Sequence, residues 1–178
     1  LLTGLVTSAP AAEPFTLEQI MGSPFPSGLV ASPVGDKVAW VFNHKGQRDI
    51  WVTSSPDYVG GPVTDLTADD GQEIGALAWS PDGRLLAFVR GGPPNSAGEL
   101  PNPVGDPSGV ERSVWVVRIR DNLMRRIDEG SSPLFMVDGQ HVVYLKEGKV
   151  WLAEVGSFEG GSMAQPSQLI EGRGTFGS

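Results

Sequence analysis

Four polar residues in one long segment are the candidates for polar contacts to a ligand: Asn95, Glu99, Glu111 and Arg112. The segment that holds them, residues 91–112, is rich in Gly, Pro and Asn and has the composition of a loop. Long loops carried on a rigid scaffold often bind ligands, so we expect these side chains to contact the substrate. The alternative is a solvated loop that binds nothing.

No motif for catalysis or cofactor binding is complete. The nearest approach to a Gly-x-Ser-x-Gly nucleophile elbow, residues 160–164, lacks the final glycine. A Gly-x-Gly-x-x-Gly run at residues 172–177 has β-type surroundings and not the strand-to-helix setting that binds a dinucleotide. We therefore predict no catalytic residue, no cofactor and no metal ligand in this chain.

Composition excludes several further classes of protein. The chain has no cysteine, which rules out disulfides, thiolate nucleophiles and cysteine-based zinc sites. The net charge is −8 without a basic stretch, which argues against a nucleic-acid partner. No apolar run approaches the roughly 20 residues of a membrane-spanning helix, so no membrane partner is predicted.

The elements that must position the long loop are repeated along the chain. Three segments, residues 31–41, 79–89 and 135–145, align without gaps, and their turn glycines are Gly35, Gly83 and Gly139. These glycines recur after 48 and 56 residues, close to the repeat length of propeller blades. The Ser-Pro-Asp-Gly type of turn favours a tight connection between two strands.

Each repeat predicts four strands. The strand after each turn is apolar at nearly every position, which requires that both faces of its sheet be covered. The next strand carries one tryptophan in each repeat, and a fourth strand is predicted at residues 63–67, 123–127 and 167–170. The predicted fold class is all-β, with about three four-stranded blades of an incomplete β-propeller, because three blades do not close a ring.

The N-terminal part is predicted to differ from the blades. Residues 1–12 resemble a signal-peptide remnant, or else form a disordered tail, and the first reading predicts export to a bacterial periplasm or the cell exterior. Residues 13–27 are predicted to contain a short helix, with Thr16 as its cap. Residues 28–178 then form blades one to three.

Several stretches resemble one peptidase family. Residues 15–21, the Ser-Pro-Asp-Gly repeats and residues 168–174 are similar to the start of bacterial prolyl oligopeptidase family serine peptidases, of the dipeptidyl peptidase and acylaminoacyl peptidase-like branch. The resemblance implies a propeller of seven or eight blades and an α/β-hydrolase domain that carries Ser, Asp and His, in the same or a separate chain. It also implies a peptide substrate, whose access the propeller would limit.

Two other functions stay open at this point. The run from Trp79 to Gly83 also occurs in TolB-like periplasmic propellers, which bind proteins and hydrolyse nothing. A propeller that binds a sugar or another small ligand is a third possibility. No pair of adjacent glutamates is present that could grip a substrate amino group, which leaves dipeptidyl specificity undecided.

Overall fold

The computed structural model describes residues 16–17, 22, 25–64, 71–102, 105, 107, 109–158 and 164–169. Within these residues it has three four-stranded antiparallel sheets, and in each sheet the spatial order of the strands follows the sequence. Three such meanders are three blades, which confirms the predicted fold class.

The strands are numbered in chain order. Blade one contains β1 (Phe25–Ala31), β2 (Lys37–His44), β3 (Gln47–Ser54) and β4 (Gly61–Pro62). Blade two contains β5 (Ile74–Trp79), β6 (Leu85–Arg90), β7 (Ser113–Arg118) and β8 (Leu123–Glu129). Blade three contains β9 (Ser131–Phe135), β10 (His141–Lys146), β11 (Lys149–Glu154) and β12 (Ser167–Gln168).

The turn that joins the first two strands of each blade has the same length in all three repeats and places its glycine in the left-handed region. Gly35, Gly83 and Gly139 have φ angles of 71°, 64° and 67°. These left-handed values are what the sequence pattern requires of glycine. In blade two the Ser80 amide donates to the Leu85 carbonyl at 2.9 Å, and blades one and three make the equivalent bond.

Packing between blades explains why the second strands are apolar throughout. Along β6, Leu86 and Phe88 belong to the core cluster shared with blade one, whereas Ala87 and Val89 belong to the cluster shared with blade three. All four are at most 4% exposed. The strand therefore has no wet face, as its composition predicts.

The two faces of a blade differ, because the cross-strand aromatic pairs lie on the face that packs against the preceding blade. Phe88 lies opposite Trp115 in blade two, and this pair packs against blade one. Tyr144 lies opposite Trp151 in blade three, and that pair packs against blade two. An aromatic face of each later blade thus meets an aliphatic face of the blade before it.

Some predicted boundaries were wrong. The fourth strand of blade one lies at Gly61–Pro62 and does not include Val63 or Thr64 of the predicted 63–67, whose other residues lie outside the described ones. Thr64 ends the pairing, because its hydroxyl accepts the Ile50 amide proton at 2.8 Å in place of a backbone partner. In blade three β12 is Ser167–Gln168 and ends before Leu169, and residue 170 of the predicted 167–170 lies outside the described residues.

The N-terminal boundary also changes. Strand β1 begins at Phe25, because β2 runs to His44 and offers Asn43 and Phe42 as partners to Phe25 and Pro26. Residues 25–27, which we assigned to the helical segment, therefore belong to blade one. Most of the predicted helix and all of residues 1–12 lie outside the described residues.

Candidate functional site

The candidate site lies at the one connection where the blades differ. In blade one a two-residue turn, Lys45-Gly46, joins the second and third strands, and in blade three the equivalent turn is Glu147-Gly148. All four residues have positive φ, as type I′ hairpins require. In blade two residues 91–112, hereafter the insertion, replace this turn. We call this end of the sheets the insertion rim and the opposite end, with Gly35, Gly83 and Gly139, the turn rim.

The two ends of the insertion are held together. Gly91 and Gly92 are buried, and the Gly91 amide donates to the Glu73 carbonyl at 2.8 Å. A Cβ atom at Gly91 would lie 2.8 Å from the Glu111 carbonyl oxygen, so a side chain does not fit there. The first and last residues of the insertion therefore lie against each other, which closes the base of the loop.

Asn95 and Glu99 form the exposed tip of the insertion. The Asn95 side-chain oxygen accepts the amide protons of Ala97 at 2.9 Å and Glu99 at 3.0 Å. Its side-chain nitrogen donates to the Glu99 carboxylate at 2.9 Å. These bonds join the Asn95 and Glu99 side chains to each other and to the backbone of the tip. Contact of either residue with a substrate stays a prediction.

Two adjoining cavities lie beneath the insertion and share Leu100, Arg112 and Glu129; we call them together the cleft. The larger has a volume of about 530 Å³ and is completed by Gly109, Val110 and Glu111. The smaller, of about 220 Å³, extends over blade three. Its wall includes residues of three further segments: Pro94, Gly130, Ser131, Leu145, Lys146 and Glu147.

Of the four residues nominated from the sequence, the structure brings Glu111 and Arg112 into the cleft. The Glu111 carboxylate is ion-paired with Arg126 of β8. The Arg112 side chain is half-buried, and its Nε is excluded from solvent without a hydrogen-bond partner. Among the described residues, the Arg112 side chain makes neither a hydrogen bond nor an ion pair.

Sequence reasoning missed a partly buried polar network beside the cleft. The Tyr144 hydroxyl donates to Asp128 Oδ2 at 2.7 Å, and Lys146 Nζ donates to Asp128 Oδ1 at 2.9 Å. The three residues come from β8 and β10, and no motif joins them in the sequence. The one sequence feature that could have indicated the network is a polar side chain at a strand position where the alternation of side chains predicts packing against the next blade.

The network shifts the titration of its members. Burial alone acts to raise the pKa of Asp128, but the hydrogen bonds from Lys146 and Tyr144 outweigh it and hold that pKa below its ordinary value. The hydrogen bond to Asp128 raises the pKa of Lys146, and the charges of Glu129 and Glu147 add to the effect. Burial, followed by the Asp128 hydrogen bond, raises the pKa of Tyr144.

The turn rim has a cavity of about 550 Å³. The charged side chains that line it have protein partners, whereas Arg112 in the cleft has none among the described residues. Arg118 makes two hydrogen bonds to the Asp121 carboxylate, at 2.9 and 2.7 Å. Lys37 donates to the Gly83 carbonyl at 3.3 Å.

The part of the chain that the structure describes has no cluster of three metal-ligating side chains. None of its helices is long and apolar enough to cross a membrane.

No protein-family model and no curated protein matches this sequence. Solved structures do. The chain is 15% identical to TolB from Acinetobacter baumannii, with a TM-score of 0.50 over 79% of this chain and 31% of that one. A prolyl endopeptidase matches with 15% identity and a TM-score of 0.53, over 77% of this chain and 21% of that one. An acylaminoacyl peptidase, solved with Z-Gly-Gly-Phe-chloromethyl ketone, matches with 18% identity and a TM-score of 0.51, over 82% and 25%.

The chain has a β-propeller fold. It spans less than one third of each of these three proteins. At such low identity the likeness establishes the fold alone, and it includes both peptidase propellers and a TolB propeller. Whether these blades serve a peptidase or a binding scaffold must therefore be argued from the cleft.

Proposed function

We propose that these blades belong to the propeller of an exported serine peptidase and that the insertion rim faces its catalytic α/β-hydrolase domain. The propeller then limits which peptides reach the active site. The observation that carries this proposal is the closed-base insertion, which builds a polar cleft at one rim of otherwise uniform blades. The likeness to a prolyl endopeptidase and an acylaminoacyl peptidase supports it.

The chemistry of the cleft suits a peptide. Arg112 offers donors for carbonyl or carboxylate oxygens, and the exposed carboxylates of Glu129 and Glu147 offer acceptors for amide or ammonium groups. Leu100 and Val110 supply apolar surface beside these charges. A mixture of apolar wall and a few fixed polar groups is typical of small-ligand sites.

The reaction itself is assigned to residues outside this chain. A serine hydroxyl attacks the peptide carbonyl, a histidine takes its proton, and backbone donors stabilise the oxyanion. The α/β-hydrolase domain supplies these groups, in the same chain or in a separate one. We therefore expect the 178-residue chain to be inactive alone.

The first blade supports the proposal that further blades are partners. Its aromatic face carries Trp40, Phe42 and Trp51, with the Phe42 and Trp51 ring centroids 5.0 Å apart. In blades two and three the equivalent aromatic face packs against an aliphatic face of the preceding blade. By analogy with blades two and three, the aromatic face of blade one would pack against the aliphatic face of a further blade.

The test uses the full-length protein. A fluorophosphonate probe, which reacts with activated serines, should label it, and the labelled protein should hydrolyse short peptides. A variant in which a Lys-Gly turn replaces residues 91–112 should keep the labelling and change the ratio of kcat/KM between short and long peptides. An unlabelled protein that captures a protein partner would instead favour the TolB-like scaffold, the reading that the TolB likeness supports.

A further inference from the structure

We infer that the cleft binds a carboxylate group and that Arg112 is the residue that holds it. The inference deepens the proposed function, because it names the chemical group of the ligand that the cleft takes. It starts from the state of the guanidinium. A half-buried arginine whose Nε is shielded from solvent, without a protein partner among the described residues, lacks compensation for its lost hydration.

Two other arginines of blade two show that the fold pairs such groups elsewhere. Arg126 pairs with Glu111, and Arg118 grips Asp121 through two nitrogens. Since Glu111 is already engaged by Arg126, it does not neutralise Arg112, its neighbour in sequence. Arg112 also lines the cavity wall, so that a ligand oxygen in the cleft can reach its unpaired guanidinium.

Carboxylate is favoured over phosphate by the surroundings of Arg112. The wall of the cleft also carries Glu129 and Glu147, whose negative charges disfavour a dianion more than a monoanion. A planar carboxylate matches the two parallel donors of a guanidinium. Leu100 and Val110 then accommodate apolar atoms attached to that carboxylate.

In a peptide the carboxylate comes from the C-terminus or from an acidic side chain. Binding is measured by calorimetry on the full chain with three probes: Gly-Gly-Leu, its C-terminal amide, and the amide of acetyl-Gly-Glu-Leu. We expect Gly-Gly-Leu or the glutamate peptide to bind and the Gly-Gly-Leu amide to bind at least tenfold more weakly. If only the glutamate peptide binds, the inference of a carboxylate ligand stands, and the carboxylate is that of an acidic side chain of the peptide.

Arg112→Met removes the charge and keeps the length of the side chain. We expect it to weaken binding of the carboxylate probe by about ten- to a hundredfold, the value of a charge-assisted pair. Arg84→Met, which removes an exposed arginine at the turn rim, is the matched control and should leave affinity unchanged. The thermal unfolding midpoint of Arg112→Met should equal or exceed that of the wild type, because an uncompensated charge is lost.

The inference would be overturned if the Gly-Gly-Leu amide bound as tightly as the tighter of the two carboxylate peptides, if none of the three probes bound, or if Arg112→Met left the affinity of the carboxylate peptide unchanged. Tighter binding of inorganic phosphate than of the carboxylate peptides would also overturn it. These experiments measure binding without turnover, so their failure leaves the labelling test of the proposed peptidase standing, and the reverse also holds.

Discussion

The two rims of the blades are built on opposite principles. At the turn rim the three repeats keep a turn of one length with a left-handed glycine. The turn of blade two packs against blade one, since a Cβ atom at Gly83 would lie 2.5 Å from Ser32 Oγ. At the insertion rim two blades use a two-residue hairpin and the third uses residues 91–112. Contact between neighbouring turns therefore fixes length at one rim, whereas the other rim is free to carry a loop with a cleft.

Two glycines with left-handed backbones give the largest expected contrast. Gly83→Ala should lower the free energy of unfolding by about 3 kcal/mol, because it adds both left-handed strain and a clash with blade one. Gly98→Ala, at the insertion tip where nothing lies within 4 Å, should cost only the strain, about 1 kcal/mol. Urea unfolding measures both. Equal costs would show that the turn rim is not fixed by contact between blades.

The next largest effect concerns the network between blades two and three. Asp128→Ala leaves the Tyr144 hydroxyl and the Lys146 ammonium without their acceptor in a largely buried site. We expect a loss of about 2–3 kcal/mol in the free energy of unfolding. Asp121→Ala, which removes an exposed carboxylate at the turn rim, is the control and should lower the free energy of unfolding much less. A similar loss in both variants would contradict a special role for the network.

The same network predicts how stability depends on pH. Because the pKa of Asp128 is lower in the folded state, its contribution is complete above the unfolded value of about 4 and is lost as pH falls through the folded pKa. Lys146 has a raised pKa, so its contribution is lost as pH rises beyond about 10. Thermal unfolding from pH 6 to pH 2 should therefore show a smaller decline in Asp128→Asn than in the wild type. Parallel declines would contradict this assignment.

The parts of the fold that follow from local chemistry were predictable from the sequence. Ser80-Pro81-Asp82-Gly83 predicts a turn by its own residues, and the apolar run of β6 predicts cover on both faces. The short β4 was missed because its end depends on Thr64, whose hydroxyl competes for a backbone donor. The composition of the insertion predicted its position as a loop between β6 and β7.

The cleft was harder to predict, for a physical reason. Arg112 could be nominated because a charged residue in a long loop is often functional, but its lack of a partner depends on Arg126 binding Glu111 from another strand. The Asp128–Tyr144–Lys146 network likewise depends on how β8 and β10 approach one another across two blades. Pairing between distant strands leaves no local pattern in the sequence.

A smaller effect is expected when the insertion rim is made uniform. Replacement of residues 91–112 by Lys-Gly gives blade two the hairpin of blade one, and the shorter loop loses less entropy on folding. The thermal midpoint should stay within a few degrees of the wild type, while binding of the carboxylate probe should be lost. A cooperative unfolding transition that disappears would show that the insertion is needed for the fold and not only for the cleft.

The smallest expected effect tests a repeated feature that the sequence does not reveal. The first strand of each blade has a register shift, and the residue within it has positive φ: Gly28, Ala76 and Ser132, at 62°, 50° and 53°. Ala76→Gly relieves left-handed strain of about 1 kcal/mol in the folded state, but glycine also gives the unfolded chain more conformational entropy. We therefore expect the free energy of unfolding to rise by about 0.5 kcal/mol. Ala78→Gly, two residues further along the same strand, should instead destabilise by about 0.5–1 kcal/mol.

Gly28→Ala completes the comparison, since the nearest atom to its new Cβ, Val41 Cγ2, would be 3.9 Å away and no clash arises. It should therefore destabilise blade one by the backbone strain alone, about 1 kcal/mol. Opposite signs for Ala76→Gly and Gly28→Ala in urea unfolding would show that one backbone shape is required at this position in different blades. Destabilisation by Ala76→Gly as large as that by Ala78→Gly would show that the bulge in β5 is not under strain.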